Sequence, residues 1–353
     1  MNIYEQQAAN RRMTAVIMGV FVAFFLVLGL GFDFFYLNFN PGGKAAVKWN
    51  SDGGYYEAQG ASRASNIPFG TIIALLVGGG MALNSMLNGT SMVLRSTMAR
   101  RASGAFEKEK QYLNVVEEMA TAAGLPVPTA YIVPDPDLNA FATGMDPSKS
   151  VIAVTEGLLS SLNRAELQAV VAHEMSHIRN YDIRLMTVMA ALIGAISLLS
   201  DFTGRTMRHG RGLSGGSSSS GGSGRKGGAA VLIFFVIWAV LMILAPLLSR
   251  LLAMAISRQR EYLADASGAE LTRNPLALIS ALEKIRQAVM PTMAINNGVA
   301  HMCITDPRGS LIEEKMGLTA DLLATHPPME KRILALKVMA YQTANPQARF
   351  VLA

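Results

Sequence analysis

Four long apolar segments constrain the fold of this chain more than any other feature. They are residues 13–32, 68–94, 183–200 and 229–248. A bilayer core of about 30 Å requires about 20 helical residues, so each segment is close to the length of a membrane span. Charged residues make up only 16% of the sequence, whereas soluble proteins contain about 25%. The sequence therefore predicts about four transmembrane helices.

Basic residues beside the first two segments predict an orientation. Arg11 and Arg12 precede the first segment and Arg95 begins a basic stretch after the second, whereas the loop between them, 33–67, has balanced charges. By the positive-inside rule, the N-terminus and the chain after the second span lie in the cytoplasm. These flanking positions account for the net charge of +6, so we predict no nucleic-acid partner.

The third and fourth segments are joined by a glycine- and serine-rich stretch, which predicts a flexible linker over 203–228. This linker is basic, so either the two segments form a shallow hairpin or the linker is translocated despite its charge. The predicted units are a membrane anchor with an extracytoplasmic loop (1–95), the first part of a soluble domain (96–182), a transmembrane hairpin (183–256) and the second part of that domain (257–353).

The soluble parts show an α+β pattern with few strands. Residues 105–123 are typical of a helix that Gly124 ends, and most of the chain after the fourth span is also helical in pattern. The sequence TAYIVPD predicts one strand, and LNAFATGMDPSKSVIAVTEG predicts two more that pair across a turn. Asn163, followed three residues later by Glu166, predicts a capping box at the start of a further helix.

That helix contains the sequence HEMSH, which is typical of a metal site. His173 and His177 are about 40° apart around a helix, so both rings project from one face and suit one zinc ion. Glu174 is offset by about 100° from His173 and is placed to take a proton from a zinc-activated water without binding the metal. We therefore predict one Zn²⁺ per chain and a hydrolytic role for Glu174.

Catalytic zinc needs a third protein ligand. The extended pattern that supplies a third histidine is excluded, because Asn180 and Ile183 occupy its positions. A downstream carboxylate is the alternative, and SRQREYLADASGAELTR offers Glu261 and Asp265 on one helical face. The third and fourth spans leave the HEMSH helix and return the chain to it, which would bring Glu261 beside the histidines and anchor the site at the membrane surface.

The sequences NAFATG, HEMSH, SRQREYLADASGA and THPPMEKRI, in this order and with four spans, resemble the HtpX-type membrane zinc metalloproteases, which are relatives of the CAAX prenyl proteases. The resemblance covers about residues 100–340. It implies a mostly helical zincin-like (gluzincin) domain with a small sheet. It also implies the zinc ligands His173, His177 and Glu261, with Glu174 as general base and Asp265 holding a ligand histidine. The long 33–67 loop and the linker depart from the family pattern.

Two further sets of residues are candidates for substrate handling. Asn139, Ala140, Phe141 and Ala142, in LNAFAT, predict an edge strand to which an extended polypeptide could add, with Asn139 and Ala140 nearest the scissile bond. An ordinary core strand is the alternative. His326, in THPP, is a candidate donor to the oxyanion of the reaction, and a packing role beside a helix start is its alternative.

The resulting hypothesis is a zinc endopeptidase in the bacterial inner membrane with a cytoplasmic catalytic domain. The resemblance implies misfolded or damaged membrane proteins as substrates, in protein quality control under stress. The alternatives are a membrane scaffold with a structural zinc, which needs a fourth ligand such as Cys303, or a transporter component, which needs paired charges inside the membrane. The oligomeric state is not predicted.

Overall fold

The computed structural model describes residues 3–36, 47–49, 55–57, 67–210, 258–288, 292–295, 298–305 and 326–345. Its helices are α1 (Ile3–Tyr36), α2 (Phe69–Ser96), α3 (Glu107–Ala123), α4 (Glu156–Ser161), α5 (Arg164–Arg179), α6 (Asp182–Gly210), α7 (Arg258–Thr272), α8 (Pro275–Gln287) and α9 (Met329–Ala344). Its strands are β1 (Val47–Trp49), β2 (Tyr55–Glu57), β3 (Arg100–Arg101), β4 (Thr129–Val133), β5 (Ala140–Thr143) and β6 (Val151–Thr155). The predicted fourth span, 229–248, lies outside the described residues.

Helices α1 and α2 correspond to the first two predicted spans. Each contains a stretch long and apolar enough to cross a membrane, Gln7–Asp33 in α1 and Phe69–Ser96 in α2. The third predicted span lies in α6, whose residues 183–196 are mostly buried and contact α1, α2, α5 and β5. Helix α6 continues to Gly210, so the first residues of the predicted linker are helical; its dense Gly/Ser run begins only at Ser214.

The packing of α1 against α2 depends on glycine and on one buried acid. A Cβ at Gly78 would lie 2.7 Å from the ring of Phe25, so only glycine allows this approach of the two helices. The carboxylate of Asp33 accepts hydrogen bonds from the backbone N–H groups of Gly70 and Thr71, each at 2.7 Å. An acid on α1 therefore satisfies the free N–H groups at the start of α2.

The chain between α2 and α6 contains a four-stranded mixed sheet in the order β3-β4-β6-β5. Strands β4 and β6 are parallel, whereas β5 and β6 are antiparallel and joined across the predicted turn. The three strands predicted from the sequence are confirmed, and β5 does lie at the end of the sheet. The two-residue β3 and the β1–β2 pair in the 33–67 loop were not predicted, because strands of two or three residues carry no usable alternation.

Helix α5 lies under this sheet, in contact with β5, α3, α7 and α8. The predicted capping box at its start is confirmed, with the Asn163 side chain bonded to the Glu166 backbone and the Glu166 side chain bonded back. The helix ends at Arg179, and Tyr181 adopts a left-handed φ of 60° before α6 begins. This single break turns the chain from the buried HEMSH helix into the apolar helix α6.

Candidate metal centre

The HEMSH helix brings its two histidines to one point. The Nε2 atoms of His173 and His177 lie 3.3 Å apart, and both side chains are buried. Glu261, from α7, places Oε2 at 3.8 Å from Nε2 of His173 and Oε1 at 3.6 Å from Nε2 of His177. Ligand atoms about 2.0–2.2 Å from a tetrahedral zinc ion are about 3.3–3.6 Å apart. The distance between the histidines and the distance from His177 to Glu261 lie in this range, and the distance from His173 to Glu261 slightly exceeds it.

A carboxylate lies behind each histidine. Asp265 Oδ1 is 3.0 Å from Nδ1 of His173, and Asp182 Oδ2 is 3.0 Å from Nδ1 of His177. A proton held on Nδ1 by a carboxylate leaves Nε2 with its lone pair directed at the shared point. The arrangement therefore selects the tautomer that can bind a metal.

The charges around this point favour a cation. Burial alone lowers the pKa of His177, but the hydrogen bond with Asp182 and the charge of Glu261 raise that pKa to about 9. Burial opposes ionisation of Glu261, yet His326 and Arg332 hold the pKa of this carboxyl well below its ordinary value. Glu261 is thus ionised, as a metal-binding carboxylate must be.

Arg332 is the largest fully buried side chain of the described residues, and it contacts the two buried carboxylates of α7, Glu261 and Asp265. Its guanidinium donates two hydrogen bonds of 2.8 Å to Asp265, and its Nη1 lies 3.4 Å from Oε2 of Glu261. The same Nη1 donates to the backbone oxygen of Ile304 at 2.6 Å. Arg332 therefore fixes the position of Asp265, and through it the ring of His173.

Glu174 differs from every other acid of the site. It is buried, and among the described residues neither of its carboxylate oxygens has a hydrogen-bond partner. Burial raises the pKa of Glu174 above its ordinary value, against the opposing charges of His173 and His177. A buried carboxylate without hydrogen bonds is costly to maintain, and such groups concentrate at sites that move protons.

His326 is also buried at this point. Its Nδ1 lies 3.6 Å from Oε2 of Glu261, and neither ring nitrogen has a hydrogen-bond partner among the described residues. The structure thus brings His326 to the candidate metal centre, as the sequence predicts. A role as oxyanion donor stays a prediction.

The edge strand β5 is partly covered by another segment of the chain. The backbone oxygen of Ala140 accepts a hydrogen bond of 2.9 Å from Ile304 N–H, and the Asn139 side chain donates to the oxygen of Thr305 at 3.1 Å. Phe141 forms an isolated antiparallel bridge with Cys303. Residues Asn139 to Ala142 are buried, so their predicted role in substrate binding also stays a prediction.

Comparison with known sequences decides the family. The profile of peptidase family M48 matches residues 107–340. A protein named Protease HtpX homolog from Streptococcus equi subsp. equi is 40% identical over 282 residues, which cover 80% of this chain and 90% of that relative. This chain belongs to peptidase family M48. It is accordingly a metalloprotease, and the HtpX-type resemblance of its sequence is confirmed.

Other relatives of this M48 peptidase match over nearly its whole length. The Protease HtpX homolog of Streptococcus mutans is 39% identical over 335 residues, covering 95% of this chain and 99% of the relative. Among solved structures, the crystal structure of S. mikatae Ste24p matches with a TM-score of 0.44 and 18% identity, over 77% of this chain and 59% of that chain.

The sequence did not single out two residues of this M48 site. Asp182 follows His177 by five residues, at the start of the third predicted span. A charged residue at such a position usually has a functional partner, so its place in the sequence was a signal. The structure shows that Asp182 is buried. Arg332 lies within THPPMEKRI, one of the sequences that carry the resemblance, but only its burial and its partners reveal its role.

Proposed function

We propose that this M48 peptidase is a membrane-anchored zinc endopeptidase that cleaves polypeptides at the cytoplasmic surface of a bacterial inner membrane. The observation that carries the proposal is the buried cluster of His173, His177 and Glu261 with the unpartnered Glu174 beside it. These residues are the proposed ligands and general base. Misfolded or damaged membrane proteins are the proposed substrates, because the site helix leads directly into an apolar helix.

The chemistry divides between a metal and the residues of the chain. A bound zinc ion supplies Lewis acidity and makes water a nucleophile at neutral pH. Glu174 accepts a proton from the attacking water and returns it to the leaving amine, and its raised pKa suits both steps. The ring N–H of His326, adjacent to Glu261, donates to the oxyanion that forms on the substrate.

The contacts of α1 and α2 support the cytoplasmic placement. Gln7 and Asn10, in the first turns of α1, hydrogen-bond to the backbone of residues 179 and 180, at the end of the HEMSH helix. The far end of α2, at Arg95, leads directly into strand β3 of the sheet. The helix ends that meet the soluble domain are therefore those with basic flanks, and such flanks favour the cytoplasmic side.

A closed structural zinc site is the competing function. Such a site requires a fourth protein ligand, typically cysteine. Among the described residues, Cys303 is absent from the candidate metal cluster, and its Sγ lies 3.7 Å from the backbone oxygen of Val299. A closed structural site does not require a buried carboxylate such as Glu174, which has no hydrogen-bond partner among the described residues. These observations favour the endopeptidase.

Metal analysis and digestion of casein by the purified full-length protein test the function. We expect about one zinc per chain, with casein cleavage that a chelator abolishes and zinc restores. Glu261→Ala should lose both metal and cleavage, whereas Glu270→Ala, an exposed acid on the same helix, should lose neither. Bound zinc with no cleavage of any polypeptide would instead support the scaffold function.

We propose that the substrate adds to β5 as an extended strand. The Ala140 oxygen faces outward from the sheet, and Ala142 has the same direction by the two-residue period of a strand. An incoming peptide must replace the Ile304 N–H that Ala140 now accepts. The strand therefore offers its hydrogen bonds only after this segment shifts.

A proline at the edge tests this binding mode. Ala142→Pro removes an edge-facing donor, so we expect casein cleavage to be lost while the metal content stays at the wild-type level. Ser148→Pro, in the turn between β5 and β6, is the control and should be much milder. Normal cleavage by Ala142→Pro would mean that the substrate is held elsewhere in the cleft.

A further inference from the structure

The first membrane helix reaches the candidate metal centre. Asn10 lies on α1 within the apolar stretch Gln7–Asp33, and it is only 2% exposed. Its Nδ2 donates to the backbone oxygen of Asn180 at 2.9 Å and to Oδ1 of Asp182 at 2.6 Å. Gln7, one turn earlier, donates to the backbone oxygen of Arg179 at 2.9 Å. Helix α1 is thus hydrogen-bonded to the break between α5 and α6.

The two carboxylate oxygens of Asp182 contact different residues. Oδ2 lies 3.0 Å from Nδ1 of His177, whereas Oδ1 accepts the hydrogen bond from Asn10. Arg260 also lies near Oδ1, but its Nε is 3.7 Å away, too far for a hydrogen bond. Asp182 is fully buried, and among the described residues the Asn10 amide gives it a short hydrogen bond at the oxygen that does not face His177.

We propose that Asn10 is a positioning residue of the metal centre, acting on His177 through Asp182. The amide fixes the rotamer of Asp182, and the carboxylate then fixes the tautomer and the ring plane of His177. The inference rests on the proposed function, in which His177 is a zinc ligand. It makes the first membrane helix a structural part of the metal site and not only an anchor.

An ordinary packing role for Asn10 predicts a different behaviour. Buried polar residues also hold membrane helices together, and here the Asn180 oxygen alone would serve that purpose. A packing role affects stability independently of Asp182. A positioning role acts only while Asp182 is present, so the two substitutions should not be additive.

A double-mutant cycle on the full-length protein in detergent distinguishes these roles. The variants are Asn10→Leu, Asp182→Ala and the double variant, with Gln7→Leu as the control on the same helix. The measurements are the rate of zinc loss to a chelator and the visible absorption spectrum of the Co²⁺-substituted protein. Loss of a group that orients a metal-binding histidine typically weakens metal binding about 10–100-fold.

We expect Asn10→Leu to accelerate zinc loss about 10-fold and to change the cobalt spectrum. The double variant should lose zinc no faster than Asp182→Ala, and Gln7→Leu should behave as the wild type. Asn10→Asp is a second variant, and its side chain has nearly the same volume as that of asparagine. It places a carboxylate next to the carboxylate of Asp182, and the repulsion should also accelerate zinc loss. This variant provides the test if the leucine variant misfolds.

Wild-type zinc retention in Asn10→Leu, or effects of Asn10→Leu and Asp182→Ala that multiply fully, would overturn the inference. A wild-type protein that binds no metal would instead contradict the proposed function. If the wild type retains zinc and cleaves casein, and Asn10→Leu behaves in the same way, the proposed function stands. Only the positioning role of Asn10 is then removed.

Discussion

Glu166 and Glu174 lie eight residues apart on the same helix, and both are buried, with exposed fractions of 3% and 1%. Glu166 is fully partnered. Its Oε2 accepts from Asn163 N–H at 2.9 Å and from Lys284 Nζ at 2.7 Å, and its Oε1 accepts from Ser280 Oγ at 2.7 Å. Glu174 has no hydrogen-bond partner among the described residues. One helix thus carries an acid with a complete set of hydrogen-bond partners and an acid without any among the described residues, and we propose the second as the general base.

The pKa values of the two acids shift in opposite directions. Burial raises the pKa of a carboxyl group in both cases. For Glu166 the donors Lys284, Ser280 and Asn163 outweigh burial and lower the pKa, whereas for Glu174 burial dominates and the pKa is raised. The ionised form of Glu166 is therefore stabilised by its partners. Glu174 lacks such partners among the described residues and lowers the stability of the fold when it is ionised, which is expected of a group that exchanges protons.

The largest expected effect is the loss of activity in Glu174→Gln. An amide cannot accept the proton of the attacking water, so casein cleavage should fall about 10²–10⁴-fold. Zinc content should be unchanged, because Glu174 is not a proposed ligand. The thermal stability of the metal-depleted protein should be equal to or higher than that of the wild type, since an unpaired buried charge is removed. Full activity in this variant would end the assignment of Glu174 as general base.

The matched substitution Glu166→Gln should produce the opposite pattern. It replaces the ion pair with Lys284 by a neutral contact, and we expect a loss of about 1–2 kcal/mol in the free energy of unfolding. Cleavage per folded molecule should stay at the wild-type level, as measured by casein digestion after correction for the folded fraction. A strong loss of cleavage without loss of stability would show that the two acids do not divide their roles as proposed.

Short-range features of the site could be predicted from the sequence. The Asn163–Glu166 capping box and the shared face of His173 and His177 both depend on spacings of three or four residues. The expectation of a carboxylate ligand soon after the last predicted span left both Glu261 and Asp265 open, and the family resemblance selected Glu261. The same physical reasoning selects the β5–β6 pair, since a turn connects the two strands.

Long-range contacts could not be predicted. Asn10 is 172 residues from Asp182, and Arg332 is 67 residues from Asp265. No sequence period links such positions. A polar residue in an apolar helix, or an arginine in any helix, can have many different partners, so the residue alone does not identify the one it contacts. The segment that covers β5 could not be predicted for the same reason, because Ile304 and Ala140 are far apart in the sequence.

Glu109 extends the comparison to a second structural acid. Its Oε2 accepts from the backbone N–H groups of Ser103 and Gly104 at 3.0 and 3.2 Å, and its Oε1 pairs with Arg100 at 2.8 Å. The hydrogen bond from Arg100, together with that from Ser103, lowers the pKa of Glu109 to about 2. Like Glu166, this acid is stabilised as the anion and lies in the first turn of its helix.

The smallest expected effect is the pH dependence of Glu109→Gln. A carboxyl whose pKa is lower in the folded state than its ordinary value of 4.5 stabilises the fold above pH 4.5, and this stabilisation is lost as the pH falls toward about 2. The wild type should therefore exceed the variant by less than about 1 kcal/mol at pH 7, because Arg100 is partly exposed and its charge is screened. Chemical denaturation at pH 7, 4.5 and 3 should show this difference shrinking, whereas Glu107→Gln, an exposed acid on the same helix, should change stability little throughout. A difference independent of pH would mean that packing, and not the ionised carboxylate, gives Glu109 its structural role.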